Sequence, residues 1–139
     1  MKPSIASQQE YETYIYALPT LHLEIEKSTL ILLPIGRYLA KIAGEVFFKQ
    51  DIRLKTLQIV DFGRAEILRY SYSVFRGQEK LYWYDPQPHP HIPALASTHP
   101  HHKHIPPDIK HNRIPAPSIS FTQPNLPFLM QEIISRLLA

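Results

Sequence analysis

The sequence predicts an α+β fold: a helix, an antiparallel meander sheet of four to five strands, a long Pro/His-rich loop and a closing helix. Apolar and polar residues alternate in several runs between residues 29 and 84, which is typical of half-buried strands. Short turns separate these runs, and short connections favour antiparallel pairing because parallel strands need longer crossovers. Helical patterns precede the runs and end the chain.

The first helix is predicted from about Ser7 to Leu18. Ser7 and Glu10 have the spacing of a capping box, and Pro19 follows as a stop. The apolar residues of one helical face are Tyr11, Tyr14, Ile15 and Leu18.

Five runs have strand character: 29–33, 38–48, 52–62, 67–76 and 80–84. The fourth run predicts an inward face made of Leu68, Tyr70, Tyr72 and Val74. In the second run Gly44 falls on the apolar face, which indicates a bulge or a large neighbour. In the last run Trp83 is predicted to lie in the core.

Composition changes at about residue 85. Of the 14 prolines, 11 lie between Pro86 and Pro127, and seven of the eight histidines lie between His89 and His111. One domain is predicted over 1–139, with a helix and sheet in 1–85, an extended loop in 86–124 and a helix in 125–139. Apolar residues spaced between the prolines indicate that the loop is ordered and packs along the sheet.

Composition also excludes several classes of function. The chain has no cysteine, so disulfides and thiolate metal sites are excluded. It has no apolar run of about 18 residues and no signal-like N-terminus, so we expect no membrane span and a cytoplasmic location. Gly-rich phosphate loops and dinucleotide fingerprints are absent from the sequence, so no cofactor is expected. The net charge of +3 permits a nucleic-acid partner.

The segment HPHHKHIPPDIKH, residues 99–111, is the first candidate site. In extended chain, alternate residues share a side, so His102 and His104 project together, as do His99 and His101. Three imidazoles would suffice for zinc, but the spacing matches no zinc signature and carboxylates are scarce, so no metal is predicted. The alternative is metal-independent RNA cleavage, with histidines as base and acid and Lys103 stabilising the phosphate charge. Binding without chemistry, or simple pinning of the loop, stays open.

The segment LYWYDPQPHPH, residues 81–91, is the second candidate site. Asp85 would orient a histidine of the following segment if the two lie close in space. Tyr82 and Tyr84 face opposite to Trp83 and are candidates for stacking on bases. The predicted catalytic residues are Asp85, His99, His101, His102, Lys103 and His104. The predicted nucleic-acid-binding residues are Tyr82, Tyr84, His89, His91, Lys110, His111 and Arg113.

These motifs together resemble the TumE-type toxins of toxin–antitoxin pairs. A tyrosine-rich strand (YSYSV) is followed by an aromatic–Asp–His–Pro stretch (YWYDPQPHP) and by HPHHKH before a C-terminal helix. The matching residues are Tyr72, Asp85, His89, Pro90, His99, His101, His102, Lys103 and His104. The chain has Pro-Gln-Pro at 86–88, where many relatives have Asn-Ala-Pro, and a longer tail before the last helix.

The resemblance implies a toxin that inhibits translation, by RNA cleavage in one interpretation, and that pairs with a helix-turn-helix antitoxin. The alternative function is a non-catalytic module that binds nucleic acid or protein through the same loop. RNA is therefore an expected partner, a membrane is not, and a homodimer is compatible with the sequence.

Overall fold

The computed structural model describes residues 2–138 and contains, within them, two α-helices, one 3₁₀ helix and eight strands. The helices are α1 (Gln8–Leu21) and α2 (Leu126–Leu137), and the 3₁₀ helix is Pro93–Thr98. The strands are β1 (Ile25–Ser28), β2 (Ile31–Pro34), β3 (Leu39–Phe48), β4 (Ile52–Asp61), β5 (Glu66–Arg76), β6 (Glu79–Asp85), β7 (His102–His104) and β8 (Arg113–Pro115). The predicted α+β class with a helix at each end is confirmed.

The eight strands form one antiparallel sheet in the order β1-β3-β4-β5-β6-β7-β8, and β2 also pairs with β3. The predicted count of four to five strands was too low. Strands β1, β7 and β8 have only three or four residues each, which is too short for an alternating pattern to show. The segment 86–124 is ordered, but β7 and β8 extend the sheet where the sequence predicts loop.

Both helices pack on the same face of the sheet, which we call the closed face. A chain of hydrogen bonds between buried side chains ties them to it. Gln58 Nε2 on β4 donates to the Tyr11 hydroxyl of α1 over 2.6 Å. The Tyr72 hydroxyl on β5 donates to Gln58 Oε1 over 3.0 Å and accepts from Asn125 Nδ2, before α2, over 3.1 Å. Polar groups in a core need such partners because an unpaired one costs about 1–3 kcal/mol.

The inward face of β5 differs from the prediction at one residue. Arg69 pairs with Ile59 and Ile67 pairs with Val60, so Leu68 is an extra residue in the ladder. This bulge turns Ile67 into the core and leaves Leu68 exposed. The predicted inward positions of Tyr70, Tyr72 and Val74 are confirmed.

Gly44 on β3 has a φ of +140°, which side chains rarely adopt. A Cβ there would lie 2.5 Å from the backbone oxygen of Thr29. The large neighbour predicted for Gly44 is therefore backbone, at the point where the chain passes from β1 to β2. No other residue type fits this crossing without strain.

The helix ends also differ in detail. The first helix continues through Pro19 to Leu21, and the backbone N–H of His22 bonds Leu18 O over 3.1 Å. Pro19 removes a single hydrogen bond, and the packed face of the helix offsets that loss. The last residue of the predicted C-terminal helix, Ala139, lies outside the described residues.

Candidate functional site

Asp85, His102 and His104 meet where β6 pairs with β7, one strand in from the edge strand β8. We call them the Asp–His–His cluster. The pairing register places Asp85 opposite His102 and Trp83 opposite His104. His102 Nε2 lies 3.0 Å from Asp85 Oδ1, and His104 Nε2 lies 2.9 Å from Asp85 Oδ2. The two Nε2 atoms are 3.1 Å apart. The sequence placed both histidines on one side, and the sheet brings Asp85 to that side.

The backbone holds both imidazole rings in a defined orientation. His102 Nδ1 lies 3.1 Å from Pro100 O, and His104 Nδ1 lies 3.0 Å from Ile109 O. A carbonyl oxygen only accepts, so each Nδ1 carries the proton of its hydrogen bond. In the neutral form of either ring, the lone pair is therefore on Nε2 and directed into the cluster.

The Asp85 carboxyl is ionised and well anchored. Partial burial alone would raise its pKa, but the interaction with His102 and the hydrogen bonds donated by the Gln87 backbone N–H and the Trp83 indole hold the pKa well below its usual value. Trp83 Nε1 donates to Oδ2 and Gln87 N donates to Oδ1, each over 2.9 Å. Burial lowers the pKa of His104, outweighing the opposite effect of Asp85. These shifts favour an ionised Asp85 beside a neutral His104.

The cluster lies largely below the surface. The side chains of His102 and His104 are 2% and 4% exposed, whereas that of Asp85 is 22% exposed. Trp83 covers His104, with ring centroids 3.8 Å apart and planes within 17° of parallel. Lys80 Nζ in turn lies 4.3 Å from the centre of the Trp83 ring. Solvent therefore reaches the cluster through the carboxylate of Asp85.

Lys103 and His101 point to the other face of the sheet. Lys103 Nζ binds the buried carboxylate of Glu132 on α2 over 3.1 Å and lies 4.1 Å from the centre of the Tyr82 ring. His101 stacks on Tyr70, whose hydroxyl lies 2.5 Å from His101 Nδ1. Burial lowers the pKa of His101. The structure therefore separates these two predicted catalytic residues from the cluster.

The aromatic residues of β6 require a correction. Tyr82 and Tyr84 are 8% and 3% exposed and pack against α2, where the Tyr84 hydroxyl donates to Glu132 Oε2 over 2.7 Å. Neither ring has a free face for a base, because α2 covers this side of the strand. Trp83, predicted to be core, lies half-buried on the uncovered face instead.

The remaining predicted site residues lie around the cluster or apart from it. The ring of His89 lies edge-on to that of His102, with centroids 5.0 Å apart, and His91 contacts His89. Arg113 pairs with His104 across β7 and β8. The exposed members are His91, His99, Lys110 and His111. Of these, His111 pairs with Asp108 through its Nδ1 over 3.1 Å.

The sheet face opposite the helices, which we call the open face, carries cations that are not among the predicted site residues. They are Lys41 on β3, Lys55 on β4, Arg69 on β5 and Lys80 on β6. None of the four has a carboxylate partner within 4.0 Å among residues 2–138. One cross-strand row runs from Lys55 through Ser73 and Trp83 to His104 and Arg113. The outward positions of Lys41, Lys55 and Arg69 were readable from strand alternation. That of Lys80 depends on a register shift between β5 and β6, and the alignment of the row needed the pairing register.

The family model for toxin TumE matches residues 21–137 of the chain. This chain belongs to the TumE toxin family. The match covers all eight strands and α2, and therefore the whole Asp–His–His cluster. The comparisons with curated proteins and with solved structures found no match.

Membership in the TumE family identifies the chain as the toxin of a toxin–antitoxin system and implies an antitoxin partner. No helix within residues 2–138 is long and apolar enough to cross a membrane. Within residues 2–138 of this TumE-family chain, the cluster is the one group of three histidine or carboxylate side chains whose possible metal-ligand atoms all lie within 4.8 Å of one another.

Proposed function

We propose that this toxin acts on RNA, with the open face as the binding surface and the Asp–His–His cluster as the reactive centre. The observation that carries the proposal is the row that leads from Lys55 on β4 to His104 on β7. It spans three strand spacings, roughly 14 Å. A strand of nucleic acid lying across the sheet would meet cations first and the cluster at the edge.

Charge and shape of the open face support nucleic acid as the ligand. Lys41, Lys55, Lys80 and Arg69 supply positive charge. The one carboxylate that faces Lys55 across β3 and β4 within residues 2–138, Glu45, is paired with Arg53. Between them lie Leu57 and Phe75, which offer apolar contact to a sugar or a base. Single-stranded nucleic acid is bound by this combination of a basic track with apolar and aromatic platforms.

The chemistry of the cluster supports cleavage at a phosphodiester. RNA cleavage requires deprotonation of the attacking hydroxyl, protonation of the leaving oxygen and stabilisation of charge on the phosphate. Asp85 contributes a fixed carboxylate, and His102 and His104 contribute two imidazoles oriented by backbone carbonyls. Arg113, the neighbour of His104 on β8, adds a cation at this edge.

A second candidate is binding without chemistry, and burial favours it. With 2% and 4% of their side chains exposed, His102 and His104 have little surface to offer a phosphate directly. In that case the cluster would serve only to fasten β7 to β6, and the toxin would inhibit translation by binding RNA without cleaving it.

Induction of the toxin in a host tests the two functions. We expect growth arrest and new 5′ ends in total RNA for the natural chain, and loss of both for Asp85→Asn and for His104→Asn. His22→Asn is the matched control, since His22 lies at the end of α1. Arrest without new RNA ends, abolished by charge reversal at Lys55 and Lys80, would support binding without cleavage. Arrest that is insensitive to all of these substitutions would refute the proposal.

We further propose that the antitoxin carries a helix-turn-helix and that the pair acts in the cytoplasm, where RNA is available. A small reading frame adjacent to this one, encoding a helix-turn-helix, should suppress the growth arrest on co-expression. Size-exclusion chromatography with light scattering on the toxin alone and on the pair would show whether the toxin is a homodimer.

A further inference from the structure

The three side chains of the Asp–His–His cluster direct electron pairs at one another. Both Nδ1 atoms use their protons on the carbonyl oxygens of Pro100 and Ile109. In the neutral form of each ring, the Nε2 lone pairs of His102 and His104 therefore point toward each other over 3.1 Å. The same lone pairs face the oxygens of Asp85 at 2.9 and 3.0 Å. Three acceptors at hydrogen-bond distance repel unless a positive charge lies among them.

Added protons cannot remove the repulsion from all three contacts at once. A single added proton would satisfy one Nε2–carboxylate contact and leave the other lone pair against an oxygen of Asp85. Two added protons would create two imidazolium rings whose Nε2 atoms are 3.1 Å apart. Both rings are almost fully buried, so water would screen the repulsion between them only weakly.

A single metal ion satisfies all three groups at once. Ligand atoms at about 2.0–2.1 Å from a tetrahedral ion lie roughly 3.3 Å from one another. The three distances within the cluster are 2.9, 3.0 and 3.1 Å, so small movements of the side chains would complete the coordination. The ligand atoms of these three residues all lie within 4.8 Å of one another.

We propose that Asp85, His102 and His104 bind one divalent transition-metal ion, with His102 and His104 ligating through Nε2. The sequence expectation of a metal-free site rested on spacing and on the scarcity of carboxylates within residues 99–111. In the folded chain the carboxylate comes from Asp85 at the end of β6, 17 positions before His102 in the sequence.

The surroundings of the three residues are those of metal ligands. Ligating histidines usually donate their second N–H to a carbonyl or carboxylate, which fixes the tautomer and the ring. Here Pro100 O and Ile109 O play that part. The carboxylate is likewise oriented by the indole N–H of Trp83 and the backbone N–H of Gln87.

The donor set indicates which kind of ion would bind. Two imidazole nitrogens and one carboxylate oxygen suit zinc and iron(II), whereas magnesium and calcium prefer oxygen ligands alone. Three protein ligands leave at least one coordination position for water or substrate, which is the arrangement of catalytic sites. Asp85, the most exposed of the three residues, is where the cluster meets solvent.

A metal ion would also reconcile burial with chemistry, and this part of the inference rests on the proposed function. His102 and His104 offer a phosphate little surface of their own. An ion held by the three residues would supply a Lewis acid that polarises a phosphate oxygen. Binding of the ion itself is measured without RNA, so the two proposals succeed or fail separately.

Calorimetric titration of the untagged, chelator-treated chain with ZnCl₂ tests the site, and the visible absorption of Co²⁺ reports its ligand geometry. We expect one equivalent bound, and an increase in Tm of about 5–10 °C at a hundredfold excess over Kd. His102→Asn and His104→Asn keep a side-chain N–H for the carbonyl but remove the ligand atom. Each should weaken binding by at least about 100-fold, as should Asp85→Asn. His22→Asn should bind like the natural chain.

Each outcome bears on the site. Binding that is equally tight in the His102→Asn/His104→Asn double variant would overturn the proposal, because it would show adventitious capture by the other histidines. Absence of binding of Zn²⁺, Co²⁺, Fe²⁺ and Mn²⁺ to the folded natural chain would also overturn it. If a histidine variant does not fold by circular dichroism, the Asp85→Asn titration decides. Tight binding without RNA cleavage would support the site and count against the proposed function.

Discussion

Lys103 lies between His102 and His104 in the sequence, yet its side chain is on the other face of the sheet. There it binds Glu132, whose side chain is 3% exposed and also accepts from the Tyr84 hydroxyl. A buried carboxylate left without its cation is costly, so this contact fastens β7 to α2. The position explains why Lys103 can matter to the toxin without touching substrate.

Replacement of Lys103 by methionine should therefore reduce stability. We expect the free energy of unfolding to fall by up to about 3 kcal/mol, because the buried Glu132 would keep only the Tyr84 hydroxyl and the exposed Arg136, at 3.8 Å, as partners. Urea denaturation followed by circular dichroism measures this. Glu132→Gln added to Lys103→Met should recover part of the loss, since no charge is then left buried. If Lys103→Met leaves stability unchanged but abolishes RNA cleavage, the catalytic role predicted from the sequence would be supported instead.

At the scale of the element, the short strand β7 determines which side chains of residues 99–111 reach the cluster. Its three residues alternate across the sheet, so His102 and His104 face one side and Lys103 the other. Pairing with β6 then brings Asp85 to His102 and Trp83 to His104. The same alternation in β3 and β4 leaves Lys41 and Lys55 on the open face, on the same side as the cluster. Lys80 joins them because the pairing of β5 with β6 shifts register at Leu81.

Each lysine of the open face should contribute one phosphate contact to RNA binding. Lys41→Gln, Lys55→Gln and Lys80→Gln should each weaken binding and lower the slope of log K against log salt by about 0.7. Fluorescence anisotropy with a labelled single-stranded RNA at several salt concentrations measures the slope. Unfolding free energy should stay within about 0.5 kcal/mol of the natural chain, as these are surface substitutions.

Lys2→Gln is the matched control for this series, because Lys2 lies beside Glu10 in a depression on the α1 side. An unchanged salt slope in all three open-face variants would show that RNA does not lie on the open face.

At the scale of the whole molecule, two helices close one face of a single sheet and leave the other free. The family match begins at residue 21, so α1 lies almost entirely outside it. Even so, α1 is part of the core of this chain: Tyr11, Tyr14, Ile15 and Leu18 are buried. Its Tyr11 hydroxyl also joins the hydrogen-bond network through Gln58 to Tyr72.

Deletion of residues 1–21 should therefore prevent stable folding, although the matched region stays intact. The sheet would lose the cover of four large buried side chains, each worth about 1.5–3 kcal/mol when buried. Binding of the dye ANS, loss of near-UV circular dichroism and loss of a cooperative urea transition would reveal this. A truncated chain that unfolds cooperatively with unchanged stability would contradict the role assigned to α1.

Much of the architecture was predictable from local patterns. Strands β3 to β6 are long enough for alternation to show which residues face the core, and α1 carries a capping signal at Ser7. The shared side of His102 and His104 follows from the same alternation, and the motifs around them carry the resemblance to the TumE family. Each of these inferences depends only on residues close together in the chain.

The tertiary structure decided the rest. The approach of Asp85 to both histidines depends on the register between β6 and β7, which are 16 residues apart in the chain and leave no periodic signal. Burial of Tyr82 and Tyr84 depends on where α2 packs, and exposure of Leu68 depends on a bulge against β4. Sequence determined which side chains share a side, because that is local geometry. Which groups meet across strands depends on long-range pairing, and that pairing makes the cluster.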